Sequence, residues 1–158
     1  MKLQHFETSE YSWQLGDYLI STERHRIDLV KLLSHFRAEA YWAESLEFRR
    51  LRTAIANSLP FGVYDVHGDI AGFCRVVTDG AMFAYLRDVL ILAAHRGRGL
   101  GTALCRQAVE HPDLGHVDNW LLRTSDAHRV YAKLGFTPIS EPESYMHRKT
   151  PRTPWEDD

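Results

Sequence analysis

Apolar residues recur along the chain in two rhythms, and the changes between them outline the elements. Tyr18–Thr22 reads as a short strand. From residue 29 the spacing lengthens: Leu29, Leu32, Leu33, Phe36 and Ala40 fall on one helical face, with Asp28 as the acid that opens it. Tyr41-Trp42 interrupts, and Phe48, Leu51, Ala54 and Ile55 mark a second helix. Pro60 opens a strand over Phe61–Val66, His67-Gly68-Asp69 turns the chain, and Ile70–Thr78 returns as a hairpin partner. Asp79-Gly80 makes another turn before a strand from Phe83 to Leu92.

Beyond that strand comes His95-Arg96-Gly97-Arg98-Gly99-Leu100-Gly101-Thr102, then a helix with Leu100, Ala103, Leu104 and Ala108 on one stripe. Pro112 to Gly115 ends it, and Trp120-Leu121-Leu122 forms a short strand. Asp126 is the expected N-cap of a last helix carrying Ala127, Val130, Tyr131 and Leu134 on one face, closed by Gly135. Phe136–Ile139 and Tyr145–Arg148 are predicted as two final strands. The order describes one domain over residues 1–158, a mixed α/β sheet with helices on both faces, and residues 1–17 and 150–158 as peripheral tails.

Composition narrows the function more than the fold. With 44% apolar and 25% charged residues the chain is ordinary for a globular protein. A net charge of −2 gives no general reason to expect nucleic-acid binding, so the arginines near residue 97 read as a local site. No apolar run approaches the roughly 18–20 residues that span a bilayer, and residues 1–17 lack the basic and apolar sections of a secretory signal. Cys74 and Cys105 stand in no CxxC pattern and read as buried free thiols of a cytoplasmic protein. The nine histidines show no metal-ligand spacing, so no metal is expected.

The glycine-rich turn is the strongest chemical signal. Glycines at alternate positions let the backbone fold tightly, the following helix offers unpaired N–H groups, and Arg96 and Arg98 supply forked donors. Together they suit a pyrophosphate. A P-loop is excluded because no Lys follows Gly101. A dinucleotide fingerprint is disfavoured: Gly97, Gly99 and Gly101 give GxGxG, and Asp118 precedes a strand where a ribose-binding acid should end one.

Arg96, Gly99 and Gly101 do fill the signature of the GNAT N-acetyltransferase superfamily (Gln or Arg, two residues, Gly, one residue, Gly or Ala). Ala127, Tyr131, Gly135 and Phe136 match the Ala-x-x-x-Tyr-x-x-x-Gly-Phe pattern found downstream in that family. With the element order, the resemblance covers roughly Tyr18 to Arg148. It looks like a bacterial branch with poorly defined acceptors, through Tyr41-Trp42, Gly72-Phe73 to Asp79, and Asp126-Ala127-His128; Thr124 departs from the Asn that many relatives carry.

The resemblance implies a GNAT acyl-CoA N-acyltransferase fold of about six to seven strands flanked by four helices. It implies acetyl transfer from acetyl-CoA to a primary amine, either a small molecule or a peptide, by direct attack in a ternary complex. The alternative is a non-catalytic acyl-CoA sensor or partner module. The pyrophosphate would lie on Arg96, Gly97, Arg98, Gly99, Leu100, Gly101 and Thr102, and pantetheine on the strand edge at Leu90, Ile91, Leu92 and Ala93. Asp126, His128 and Lys133 would flank the cofactor. Tyr131 would act as general acid toward the leaving thiolate. Asp88, an acid in an apolar strand, is either a general base or the partner of Arg75 or Arg87. Tyr41 and Trp42 would wall the acceptor site, their faces suited to a cationic or apolar amine, with Arg75 and Asp79 nearby. A homodimer, common in the family, is a further expectation.

Overall fold

Leu15-Gly16-Asp17-Tyr18 starts the sheet. In the computed structural model, which describes residues 6–151 and 153, β1 (Ser12–Leu15) and β2 (Tyr18–Ser21) form a hairpin with Leu15 opposite Tyr18. Gly16 supplies the positive φ of 54° that so tight a turn demands. Part of the expected N-terminal tail is therefore an edge strand. A Gly-Asp pair between alternating runs was its sequence signal. Residues 1–5 lie outside the described residues, as does most of the tail after Thr150.

The chain then crosses one face of the sheet as α1 (Leu29–Glu39) and α2 (Phe48–Ala56). Asp28 caps α1, accepting hydrogen bonds from the Val30 and Lys31 amides at 3.0 Å, an arrangement that contributes about 1 kcal/mol. The end of α2 is closed from outside: the Arg24 guanidinium donates to the Ile55 and Ser58 carbonyls. Strands β3 (Leu59–Tyr64), β4 (Ile70–Thr78) and β5 (Ala84–Ile91) follow as an antiparallel meander. After α3 (Leu100–Val109), β6 (Trp120–Leu121) adds parallel to β5, and α4 (His128–Ala132) completes the fold. Spatial order follows chain order across six strands, and the expected class of four helices on a mixed sheet holds.

Two cores clothe the sheet. Leu32, Leu33, Phe36, Leu51 and Ile55 pack against Phe73 on the α1–α2 face. Leu100, Leu104, Cys105 and Ala108 of α3 cover Phe61, Cys74 and Val76 on the other. Each fully buried Phe contributes roughly 1.5–3 kcal/mol. Cys74 and Cys105 are free and buried, as expected.

One buried group makes the fold sensitive to acid. His111 is 1% exposed, and its Nδ1 accepts the Asp113 amide at 3.2 Å, which leaves the proton on Nε2. Nε2 has no hydrogen-bond partner among the described residues and is enclosed by the edge-on rings of Tyr11, Phe61 and Trp13. Burial holds its pKa below the ordinary imidazole value, against the weaker pull of Asp113. The unfolded chain thus takes up a proton near pH 6.5, before the folded chain does. Full stability is expected above pH 6.5 and a loss as pH falls below it. Melting temperatures from pH 8 to 5 should show that descent, shallower in His111→Gln; equal slopes would remove His111 as the cause.

Two sequence expectations fail near the C-terminus. Asp126 does not cap α4: the cap position is Ala127, and the Thr124 hydroxyl takes the Ala127 amide at 3.0 Å. The predicted strands Phe136–Ile139 and Tyr145–Arg148 are irregular, exposed chain broken by a short 3-10 turn at Pro142–Ser144. Their natural partner, β6, is two residues long, and Pro138 lacks the N–H a ladder needs. Gly135 meets expectation at the end of α4. With φ 87° it donates to the Ala132 carbonyl while Phe136 donates to that of Tyr131, and the Tyr131 and Phe136 rings meet edge-on.

Candidate active site

Strand β5 pairs with β6 at two places only, Ala84 with Trp120 and Tyr85 with Leu121. Beyond Tyr85 it continues toward Ile91 paired with β4 only, so the parallel pair opens into a V. A bulge drives the opening. Between the pairs Arg75–Arg87 and Phe73–Leu90, β4 spends one residue (Cys74) and β5 spends two (Asp88 and Val89). Asp88 takes a φ of 55°, the sole non-glycine residue with positive φ among those described. The short polar side chain of Asp tolerates that conformation better than most, and a bulge bends the strand that carries it.

The V is a cleft of about 1160 Å³. Tyr131 and Thr124 line one wall, Asp88 and Val89 the other, and Tyr41, Trp42 and Asp126 its rim. Trp42 is anchored edge-on to Phe36, with ring centroids 5.1 Å apart, whereas Tyr41 is 85% exposed. The structure therefore gathers Tyr131, Asp88, Tyr41, Trp42 and Asp126 around one space. Burial pushes the Tyr131 hydroxyl above the ordinary phenol value, with smaller contributions from Cys105, Cys74 and Asp126.

Of the two readings open for Asp88, the structure shows the ion-paired one, with Arg75 held close and Arg87 farther off. Its Oδ2 takes the Arg75 Nε–H, and its Oδ1 lies 3.8 Å from Arg87 Nε. Arg75 also lines the pocket beside the cleft. Asp79 stands apart, at the far end of β4 in a different hollow, where its Oδ1 accepts the amides of Ala81, Met82 and Phe83. Those three hydrogen bonds lower its pKa and give it a turn-forming role. His128 borders an adjoining groove with Tyr131, and Lys133 is exposed at the end of α4.

The glycine-rich turn lies at the C-terminal end of β5. Gly97 and Gly99 have φ of 74° and 77°, which requires glycine or a strained residue, and Gly99 is the N-cap of α3. Gly101 differs. It lies in the first turn of α3, where an added Cβ would meet, among the described residues, only Ile91 Cγ1, at 3.6 Å, so none of them forbids a side chain there. A group approaching the Leu100, Gly101 and Thr102 amides from outside would need the room its absence leaves. The residues present thus fit a phosphate-bearing ligand: free helix-start N–H groups, open space above Gly97 and Gly99, and exposed Arg98.

Sequence reasoning missed Glu39, the last residue of α1. Its Oε2 accepts the Ala93 amide at 2.7 Å and an Arg96 N–H at 3.1 Å, while Arg96 Nε donates to the Ile91 carbonyl. Leu92 donates to Ala71, so the Leu92 and Ala93 amides and the Ile91 carbonyl are used within the chain. The edge of β5 that faces away from β4 loses its β6 partner earlier, at Leu86.

The comparisons with known proteins agree with this fold. The family described as acetyltransferase (GNAT) domain matches residues 57–138, just over half of the chain. A crystal structure from Xanthomonas campestris pv. campestris, assigned to the GNAT acetyltransferases, is 39% identical, covers 87% of this chain and 96% of its own, and superposes with a TM-score of 0.79. An acetyltransferase-assigned protein of Gibberella zeae is 28% identical over 146 residues, 80% of this chain and 82% of its own. An acetyltransferase-assigned structure from Deinococcus radiodurans shares the fold at 20% identity, with a TM-score of 0.68 over 87% of this chain and 91% of its own. The chain belongs to the GNAT acetyltransferase family, whose members are acyltransferases that use acetyl-CoA as co-substrate.

Proposed function

We propose that this chain moves the acetyl group of acetyl-CoA to a primary amine by direct attack within a ternary complex. One observation carries the reading: the β5 edge that has no β6 partner, Leu86 to Val89, and Tyr131 line a single cleft. The glycine turn, through the Leu100, Gly101 and Thr102 amides and Arg98, holds the diphosphate. Arg96, tied to Glu39, braces that turn against α1. The open edge of β5 from Leu86 onward receives the pantetheine amides as a neighbouring strand would be received.

In the reaction the amine nitrogen bonds to the thioester carbon, the carbon–sulfur bond breaks, and Tyr131 offers its O–H to the departing thiolate. The nitrogen's surplus proton leaves to solvent. Asp88 Oδ2 is taken by the Arg75 guanidinium, and we assign Asp88 to fixing Arg75 and the bulge. No step calls on a metal ion. Among the described residues no helix is long and apolar enough to cross a membrane, and we place the reaction in the cytoplasm, where Cys74 and Cys105 stay reduced.

Thiol release from acetyl-CoA, followed across a panel of amines with mass detection of the acetylated product, tests the reading. Turnover on at least one amine is expected. CoA binding without turnover on any would favour the acyl-CoA sensor instead.

A further inference from the structure

A pocket of about 340 Å³ adjoins the cleft and shares Trp42, Arg50, Arg87 and Asp88 with it. Its walls include the apolar side chains of Leu46, Leu51 and Ala54. Its charge is lopsided: Arg50, Arg75 and Arg87 line it against one carboxylate, Asp88, in a chain of net charge −2. Asp88 is already spent, because Arg75, only 8% exposed, holds its Oδ2. Arg87 stands 3.8 Å from the other oxygen, beyond hydrogen-bond reach, and its guanidinium lies 5.4 Å from the Tyr85 ring centroid. Arg50 makes no ion pair with any described residue. Three arginines thus share one carboxylate, leaving the pocket an excess of positive charge carried by Arg50 and the loosely paired Arg87, beside apolar walls that thin the screening water.

Such a pocket repels a second ammonium and rewards a bidentate anion. Building on the acetyltransferase reading above, we propose that the acceptor amine carries an anionic group, carboxylate or phosphate, seated between Arg50 and Arg87 with its nitrogen in the cleft toward Tyr131. The inference replaces the cationic amine that exposed Tyr41 and Trp42 suggest on their own. It also gives the Arg75–Asp88 pair a purpose: with Asp88 neutralised, the pocket's positive field belongs to the two arginines left over.

The experiment compares matched amines that differ only in the anion: amino acids with their amides, and aminoalkyl phosphates with the corresponding amino alcohols, alongside spermidine. The anion-bearing member is expected to exceed its masked twin in kcat/KM by about 10–100-fold, with spermidine poorest. Which pair shows the larger ratio identifies the anion. In Arg50→Gln/Arg87→Gln the ratio should collapse toward one, and melting temperature checks folding. Equal or better turnover of the masked amines, a preference for spermidine, or a ratio untouched by the double substitution would overturn the proposal while leaving acetyl transfer standing. If no amine releases thiol and calorimetry finds no CoA binding, acetyl transfer itself fails. Calorimetric titration of the same pairs then decides the pocket alone: arginine-dependent preference for the anion upholds it, and equal binding overturns it.

Discussion

Gly99→Asp is expected to weaken CoA binding by about 10²–10⁴-fold while leaving the chain folded. The position is exposed, and a Cβ added there meets no heavy atom within 4 Å, so the protein itself has room for the side chain. The backbone cost of φ 77° is about 1 kcal/mol for a short polar residue, a tolerable loss for a domain with two packed cores. What changes is the mouth of α3. The new carboxylate can accept the same Leu100, Gly101 and Thr102 amides that the diphosphate needs, and it repels the diphosphate by charge. Losing one or two charge-assisted hydrogen bonds, each worth roughly 1.5–3 kcal/mol, accounts for the stated range. Gly99→Ala adds the strain without the charge and should lose about tenfold at most. Titration calorimetry with CoA reads both, and a melting curve confirms the fold. Tight binding by Gly99→Asp would show that the turn is not the diphosphate site.

Much of this turn was legible because its signals are local. Glycine spacing, the preceding apolar strand and the following helical stripe all sit within a few residues of one another, and the elements from β3 to α3 appear where periodicity places them. The same holds for Tyr131, whose x-x-x-Gly-Phe sequel proved to be the helix-ending turn of α4. What escaped is non-local. Glu39 reaches Arg96 across 57 residues of sequence, and the bulge that turns Asp88 to its anticipated partner Arg75 is one that periodicity cannot show. Arg50 stands in no motif of the sequence; only the fold brings it into one pocket with Arg87. The C-terminal strands fail for the complementary reason. Phe136–Ile139 has strand-like residues, but a ladder also needs a neighbour, and β6 is too short to be one.

Tyr131→Phe should lower kcat by about 10²–10³-fold with CoA affinity kept, and the structure says why the loss would be chemical. The ring stays: its edge-on contact with Phe136 and the carbonyl that takes the Phe136 amide are untouched by removing an oxygen. The hydroxyl makes no hydrogen bond to any described residue, so the fold gives up no partner. Acidity decides how it acts. An alkyl thiol loses its proton near pH 8.5, whereas burial lifts the Tyr131 hydroxyl above the usual phenol value near 10. Handing the proton over completely would run uphill, so Tyr131 stabilises the thiolate chiefly as a hydrogen-bond donor, and solvent completes the protonation. A raised pKa keeps the donor protonated throughout the neutral and mildly alkaline range; it is lost only as pH climbs past that value. The wild-type kcat profile should therefore show no alkaline limb below pH 10 that disappears in Tyr131→Phe. Single-turnover thiol release from pH 6 to 10, for both proteins with one amine, reads the size of the loss and its flatness. Wild-type rates in the variant would remove Tyr131 from the mechanism. A limb near pH 8 that vanishes with the hydroxyl would keep it there but make it a titrating acid.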